Sequence, residues 1–187
     1  ESRIEGQSLE QGHFQQARRV SRRDHRGCEH EDRQAHVGQA RCLGLIDRLQ
    51  QAGYQAYLVG GCVRDLLLNL EPKDFDVATS ATPEQVRAEF RNARVIGRRF
   101  KLVHVHFGRE IIEVATFRAN HPQGDEDEDS NLSSRNESGR ILRDNVYGSL
   151  EDDAQRRDFT INALYLDASC ERILDYANGV HDIRNRL

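Results

Sequence analysis

The segment YLVGGCVRDLLLNLEPKDFDV at residues 57–77 determines which fold the sequence predicts. The apolar run from Tyr54 to Val59 is typical of a short strand, and Gly60-Gly61 ends it. Apolar residues then recur at helical spacing, which predicts a helix directly after the glycines. From Asp74 to Ala78, acidic and apolar residues alternate as they do in a strand with one solvated face. The segment therefore predicts a strand, a glycine turn, a helix and a second strand.

Before this segment, the sequence predicts an amphipathic helix that ends at Gly53. Its apolar residues recur at spacings of three and four positions: Cys42, Leu45, Ile46, Leu49 and Ala52. Residues 1–34 are rich in Gln, Arg, Glu and His and have little periodic apolar content. Such a composition buries too little apolar surface to fold, so we predict a disordered leader before a folded domain at 35–187.

After the segment, the pattern alternates between one further helix and several strands. Thr82-Pro83 is typical of a helix start, and this helix is expected to end near Phe90. Strands are predicted at 94–97, 100–107 and 110–117, and ordered core segments at 159–166 and 172–176. Residues 119–140 are polar and predict a mobile insertion. The interleaving indicates an α+β (mixed α/β) fold, whose central, mostly antiparallel or mixed sheet is flanked by helices.

Composition limits the classes of function that the chain can serve. No apolar run approaches the roughly 20 residues that a membrane-spanning helix needs. The four cysteines have no paired spacing, which favours reduced thiols and a cytoplasmic protein over a disulfide framework. The formal net charge of −4 does not indicate a nucleic-acid binder. Basic residues nevertheless cluster locally, and a net acidic chain can still carry a basic groove.

Asp74 and Asp76 are the first candidates for chemistry. Residues two apart in a strand project from the same face, so these carboxylates are expected to lie together. Close carboxylates repel each other unless a cation neutralises them, and hard oxygen ligands suit Mg²⁺, which also binds substrate phosphates. Phe75 between them is expected to point into the core. The alternative is a solvated acidic turn, because Asp-x-Asp often occurs by chance.

The glycine turn favours the metal-binding interpretation. Two glycines between a strand and a helix let the backbone approach a ligand closely and direct N–H groups at an anion. Arg64, one turn into the helix, is placed to add a charge-assisted contact with a triphosphate. The alternative is an ordinary strand-to-helix turn with an exposed arginine. The turn is not a Walker A loop, because no Gly-Lys-Ser/Thr follows.

Two further groups of polar residues leave alternatives open. Glu113 is flanked by apolar residues in a predicted strand, so it lies either on the solvated face of an edge strand or beside a partner that neutralises it. Arg156 and Arg157 precede Asp158. In one alternative, the two arginines form a surface salt bridge with this acid. In the other, the arginines clamp phosphates, and Asp158 orients the phosphates or a ribose hydroxyl.

Three motifs follow one another along the chain: YLVGGCVRD at 57–65, KDFDV at 73–77 and RRDFTINA at 156–163. In this order they resemble the motifs of class II nucleotidyltransferases of the polymerase β superfamily, a group of bacterial poly(A) polymerases and tRNA CCA-adding enzymes. The stretches VIGRRFKLVHV at 95–105 and RDNVYGSLEDDA at 143–154 resemble the poly(A) polymerase branch. The resemblance covers about residues 42–187 and implies a nucleotidyltransferase catalytic head.

The resemblance implies roles for individual residues and a magnesium cofactor of two ions. Three acids would bind the metal ions: Asp74, Asp76 and Glu113. Four residues would lie against the nucleotide triphosphate: Gly60, Gly61, Arg64 and Arg157. The catalytic acids would be Asp74, Asp76 and Asp158. Cys62 stands where the family usually has Gly or Ala, and it is expected to crowd the turn slightly.

The activity implied is template-independent addition of AMP from ATP to RNA 3′-hydroxyls, with release of pyrophosphate by a two-metal mechanism. The RNA 3′ end is expected to be single-stranded and bound chiefly through its backbone. The nearest alternative is tRNA CCA addition, and a second is an inactive RNA-binding module with the same fold. The family's neck, which reads the incoming base, and its RNA-binding body are expected to lie beyond Leu187.

Overall fold

The computed structural model describes residues 30–97, 100–119, 133–135, 141–144 and 146–187. Within these residues the α-helices are α1 (His30–Gln51), α2 (Gly61–Leu67), α3 (Pro83–Glu89), α4 (Leu150–Gln155) and α5 (Gly179–Asn185). The strands are β1 (Ala56–Val59), β2 (Asp76–Thr79), β3 (Ala93–Ile96), β4 (Leu102–Phe107), β5 (Glu110–Thr116), β6 (Ser133–Arg135), β7 (Ile141–Asp144), β8 (Leu164–Asp167) and β9 (Arg172–Asp175). A 3₁₀ turn spans Thr160–Asn162. The first 29 residues of the predicted leader and most of the predicted insertion lie outside the described residues.

Seven strands form one mixed sheet in the order β3-β4-β5-β2-β1-β8-β9. Every neighbouring pair is antiparallel except β2 and β5, which run parallel. The parallel pair requires a long crossover, which α3, β3 and β4 supply. β6 and β7 pair separately with each other. The arrangement confirms the predicted mixed fold with a mostly antiparallel sheet.

One face of the sheet carries the larger core. Apolar residues of α1, α2 and α3 pack there against alternate residues of the strands, as the helical spacing before Gly53 predicts. The fully buried members of this cluster include Leu45, Ile46 and Leu49 of α1. Each such side chain contributes about 1.5–3 kcal/mol through burial. This side of the sheet therefore provides most of the hydrophobic stabilisation and fixes the positions of the strands.

The opposite face, which we call the site face, is covered only in part. A smaller cluster under α4 consists of Val59, Ala78, Phe117, Leu150, Ala154 and Tyr165. In β2, Asp76 and Ala78 project from the same face because strand residues alternate. Asp76 therefore lies on the site face, beyond the area that α4 covers, where acidic side chains remain accessible to solvent.

Three local features differ from the sequence-based predictions. α1 begins at His30, although its apolar spacing begins only at Cys42. β2 begins at Asp76, two residues later than predicted. Phe159 is 59% exposed and does not join the core, because the strand of that segment begins only at Leu164.

No helix among the described residues is both long and apolar enough to cross a membrane.

Gly179, at the start of α5, lies directly against the 3₁₀ turn. A Cβ atom built on it would stand 2.2 Å from the carbonyl oxygen of Thr160, a backbone atom. We therefore expect Gly179→Ala to push α5 away from this turn and to lower the free energy of unfolding by about 1–3 kcal/mol, measured by chemical denaturation. Gly44→Ala is the matched control. Gly44 is an exposed residue of α1 with no atom within 4 Å of an added Cβ, so we expect a gain of about 0.5–1 kcal/mol. Equal stability of the two variants would contradict the packing.

Candidate active site

The glycine turn and the acidic segment lie side by side. Val59, the last residue of β1, pairs with Asp76, the first residue of β2. Because these strands are antiparallel, the chain after Val59 runs beside the residues that precede Asp76. Gly60 has φ 80° and ψ −136°, a conformation that glycine adopts far more readily than other residues. The strand register therefore places the turn Gly60-Gly61 beside Asp74, although Asp74 is distant from the turn in the sequence.

The three candidate metal ligands lie on the site face. Asp74 and Asp76 are exposed, whereas Phe75 between them is 8% exposed and packs in the core, as predicted. Glu113 of β5 pairs directly with Asp76 across the parallel strands, so both side chains project from the same face. β5 lies between β4 and β2. The alternative that Glu113 occupies an edge strand is therefore wrong.

Asp76 has a strongly perturbed carboxyl group. Although the residue contacts solvent, neighbouring atoms withdraw part of its carboxyl group from water. This desolvation, together with the negative charges of Glu113 and Asp74, raises the pKa of Asp76 to about 6, and the positive charge of Arg157 opposes the shift. The negative charges of Glu113 and Asp74 thus oppose ionisation of Asp76. A divalent cation would relieve this repulsion.

The donor atoms around Asp76 fit Mg²⁺, because all of them are carboxylate oxygens. In the part of the chain that the structure describes, no group of three or more His, Cys, Asp or Glu side chains is arranged as a complete metal site. Asp74 and Asp76 would therefore supply only part of a coordination shell. Mg²⁺ commonly completes such a shell with water and substrate phosphates.

Arg157 is held by a buried acid that the sequence did not indicate. Its Nε and Nη2 atoms donate to Asp153 Oδ2 at 3.3 and 2.9 Å, and Nε also donates to the hydroxyl of Tyr165 at 3.0 Å. Arg156 donates to the other oxygen of Asp153 at 3.1 Å. The alternative that the arginines pair with Asp158 is wrong, because their ion pairs are made with Asp153, four residues before Arg157.

Arg157 also reaches the glycine turn. A Cβ atom built on Gly60 would lie 4.0 Å from Arg157 Nη1 and 3.9 Å from the carbonyl oxygen of Asn162. The effect of its charge on the pKa of Asp76 is consistent with this position. The turn, the acidic pair and this arginine therefore surround one region of the site face, as the resemblance implies for a triphosphate site.

Arg64 has partners of its own in α2 and the 3₁₀ turn. Its Nε and Nη2 atoms donate to Asp65 at 2.9 and 2.8 Å, and Nη1 donates to Asn162 Oδ1 at 2.9 Å. A Cβ atom on Gly61 would lie 3.5 Å from Arg64 Nη2. Arg64 is thus fixed beside the turn with part of its charge already compensated by Asp65. The sequence placed Arg64 correctly near the glycines but gave no indication of these two partners.

The RRDFTINA motif is held in place by the C-terminal strand and helix. Thr160 donates a hydrogen bond to Asp182 of α5. Asp175 of β9 accepts the backbone N–H groups of Ala177, Gly179 and Val180, which fixes the start of α5. Asp158 itself is exposed and has no ion-pair partner among the residues that the structure describes. Its carboxylate therefore faces solvent near the arginines, without a contact that defines its role.

Glu113 has a neighbour on its other side. His104 of β4 pairs with it across the antiparallel strands, and His104 Nε2 lies 3.2 Å from Glu113 Oε1. The pair, together with Asp76, forms a row of polar side chains across three adjacent strands of the site face. Strand spacing in the sequence indicates which residues share a face, but only the register between strands brings these three together.

Cys62 lies beneath the turn. Its side chain is 3% exposed, belongs to the larger core cluster and donates a hydrogen bond from Sγ to the carbonyl oxygen of Val59 at 3.2 Å. Burial raises the pKa of this thiol to about 11. The expected crowding of the turn is wrong, because the thiol occupies the core instead of the surface where a ligand would approach.

Known proteins are similar to this chain over most of its length. Residues 56–187 match the family model described as the poly A polymerase head domain. Poly(A) polymerase I of Salmonella typhimurium is 58% identical over 142 residues, which are 76% of this chain and 30% of the relative. A CCA-adding enzyme of Staphylococcus aureus is 35% identical over 143 residues, 76% of this chain and 32% of that enzyme.

The structure of the Bacillus stearothermophilus CCA-adding enzyme in complex with CTP matches with a TM-score of 0.60 and 38% identity. The match covers 77% of this chain and 31% of that enzyme. The chain thus spans about a third of the length of the relatives that it matches. With the match to the family model over residues 56–187, these similarities show that the chain belongs to the poly A polymerase head domain family.

Proposed function

We propose that this chain is the catalytic head of a template-independent RNA 3′ adenylyltransferase. The enzyme transfers AMP from ATP to the 3′-hydroxyl of RNA and releases pyrophosphate. The observation that carries the proposal is the register of β1 with β2, which sets Gly60-Gly61 beside Asp74 and Asp76. The greater identity to a poly(A) polymerase than to a CCA-adding enzyme favours ATP and repeated addition.

Asp74 and Asp76 hold Mg²⁺ in this proposal, and Glu113 supports the site from the adjoining strand. Two bound Mg²⁺ ions would supply activation of the RNA 3′-hydroxyl and charge stabilisation of the departing pyrophosphate. The raised pKa of Asp76 supports the assignment, because it reflects partial burial and the charges of Glu113 and Asp74, which Arg157 offsets only in part. A carboxyl group must lose its proton before it binds a cation.

The triphosphate lies against the turn and the two arginines. Gly60-Gly61 lets a phosphate approach the backbone closely, since no side chain intervenes. The N–H of Gly60 donates to the carbonyl oxygen of Leu164 at 3.2 Å, so the N–H of Gly61 is the one that would face the phosphate oxygens. Arg157 and Arg64 neutralise phosphate charge from fixed positions, which lowers the cost of ordering them when the nucleotide binds. Asp158 is the third catalytic acid, and its exposed side chain can contact the ribose or the phosphates of the nucleotide.

The cellular compartment is the cytoplasm, which the free cysteines among the described residues support.

Transfer of CMP and AMP to tRNA is the second candidate function, because CCA-adding enzymes share this head. We expect the full-length protein, given ATP, CTP and Mg²⁺, to extend a single-stranded RNA primer with many AMP residues. Gel electrophoresis of the labelled primer measures the products. A tRNA that lacks its 3′-terminal CCA is the second substrate. Addition of CCA followed by a stop would reject poly(A) synthesis, and no addition to either RNA would reject both functions.

A further inference from the structure

We propose that Asp153 is a positioning residue that holds Arg157 towards the glycine turn before a nucleotide binds. The inference rests on the proposed function, because it concerns the same triphosphate site. It assigns a role to a buried acid on α4 that touches neither the acidic pair nor the turn. The contacts of Asp153, the geometry of Arg157 and the charge of the pair each support it.

Both oxygens of Asp153 are fully engaged within the protein. The side chain is 3% exposed. Its Oδ2 accepts hydrogen bonds from Tyr165 Oη at 2.7 Å and from Arg157, and its Oδ1 accepts from Arg156 Nε and the backbone N–H of Arg118, each at 3.1 Å. A carboxylate with this many donors has no lone pair directed at a ligand. Asp153 therefore acts on the site through the residues that it holds.

The contacts of Arg157 leave some of its N–H donors available. Nε and one hydrogen of Nη2 point at Asp153, and Nη1 lies 3.5 Å from the carbonyl oxygen of Asn162. The guanidinium carbon lies 5.4 Å from the centroid of the Tyr165 ring. Since a guanidinium has five N–H donors, one donor on each terminal nitrogen remains. Nη1 lies near the turn, 4.0 Å from a Cβ atom built on Gly60, and N–H donors of a guanidinium can bind the oxygens of a phosphate.

The charge of Asp153 matters as well as its shape. Its pKa is lowered from the ordinary value of an aspartate, because the positive charge of Arg157 and hydrogen bonds from Tyr165 and Arg157 outweigh the burial that would raise it. The ionised carboxylate fixes a long, flexible side chain in advance, so binding of the nucleotide does not have to order it. An uncharged side chain of the same shape would hold the guanidinium less firmly.

The test compares Asp153→Asn with Glu151→Gln in the full-length enzyme. Glu151 is an exposed carboxylate of the same helix, so its substitution removes the same charge from α4 without touching Arg157. We expect Asp153→Asn to raise the KM for ATP, and the Kd for ATP measured by calorimetry, by about 10- to 100-fold, because roughly one charge-assisted contact is lost. The KM for the RNA primer should not change. Glu151→Gln should leave all three constants unchanged.

A purely structural role predicts a different pattern. It would reduce the fraction of active enzyme and thus kcat, without a selective effect on ATP. An unchanged Kd for ATP in Asp153→Asn would therefore overturn the proposal. In addition, Arg157→Ala added to Asp153→Asn should weaken ATP binding no further than Arg157→Ala alone, and additive effects would contradict the proposed coupling.

A milder variant covers the case in which Asp153→Asn does not fold. Tyr165→Phe removes one hydrogen bond to Asp153 and one from Arg157, and it keeps the aromatic ring in the core. We expect the Kd for ATP to rise about threefold to tenfold, and no change would overturn the proposal. If the wild-type protein binds ATP but transfers no AMP, the proposed function is wrong. The Kd values for ATP would still test the role of Asp153 in that case.

Discussion

Asp76→Asn is expected to lower the rate of AMP incorporation by about 10²- to 10³-fold or more and to leave the protein folded. The substitution removes a negative oxygen ligand from the proposed metal site and keeps the size of the side chain. Incorporation of labelled ATP into an RNA primer measures the rate in the full-length enzyme. Asp47→Asn, at an exposed position of α1 on the other side of the sheet, is the matched control and should keep full activity.

We also expect Asp76→Asn to be more stable than the wild type, which would exclude misfolding as the cause of its lost activity. The pKa of Asp76 in the folded protein, about 6, lies above the ordinary value of 3.8. The folded state therefore binds the proton more tightly than the unfolded state. Protonation of Asp76 therefore stabilises the folded state. This stabilisation is complete below pH 3.8 and is lost as the pH rises through 6.

Without divalent cations, Asp76→Asn should thus gain stability relative to the wild type between about pH 4 and pH 7. Because Asp76 is exposed, solvent screening limits the gain to less than about 1 kcal/mol. Chemical denaturation in a chelating buffer at several pH values measures it. A variant that loses both activity and stability at pH 7 would contradict the assignment, since misfolding would then explain the lost activity.

Arg157→Ala is expected to have the second-largest effect. It removes the main partner of Asp153, whose side chain is 3% exposed, and leaves a buried carboxylate with less compensation. Loss of one member of a buried ion pair costs about 3–5 kcal/mol of the free energy of unfolding. We also expect kcat/KM for ATP to fall by about 100-fold, because a preorganised phosphate contact is lost. Chemical denaturation and steady-state kinetics measure the two effects.

One further variant separates the contributions of charge and geometry at position 157. Arg157→Lys keeps the charge but lacks the planar guanidinium, whose several N–H donors can bind Asp153 and a phosphate at the same time. Its activity should therefore remain well below that of the wild type. Arg87→Ala, at an exposed position of α3, is the matched control and should change neither stability nor kinetics. Full activity of Arg157→Lys would show that only the charge matters.

Local sequence patterns were sufficient to predict most of the secondary structure. Alternation from Asp74 to Ala78 correctly separated the buried Phe75 from its exposed acidic neighbours. The capping pattern at Thr82 correctly located the start of α3, where the side chains of Thr82 and Gln85 bond to each other's backbone N–H groups. These features depend on residues close together in the chain, which is why a single sequence reveals them.

Contacts between distant segments could not be predicted in the same way. The pairing of Asp76 with Glu113 depends on the register of two parallel strands, which no local pattern specifies. Asp153 could have been suspected from its position on α4, four residues before Arg157, because side chains at this separation can meet across a helical turn. Its burial depends on packing against Tyr165 of β8, and the sequence gives no sign of that contact.

In the proposed mechanism, Asp74 and Asp76 bind a metal ion together with a nucleotide triphosphate at the glycine turn. Calorimetric titration of ATP into the full-length protein, with Mg²⁺ and with a chelator, tests it most directly. We expect ATP binding to depend on Mg²⁺ in the wild type and to lose this dependence when both aspartates are replaced by asparagine. Equal Mg²⁺-dependent affinity in the wild type and the double variant would contradict it.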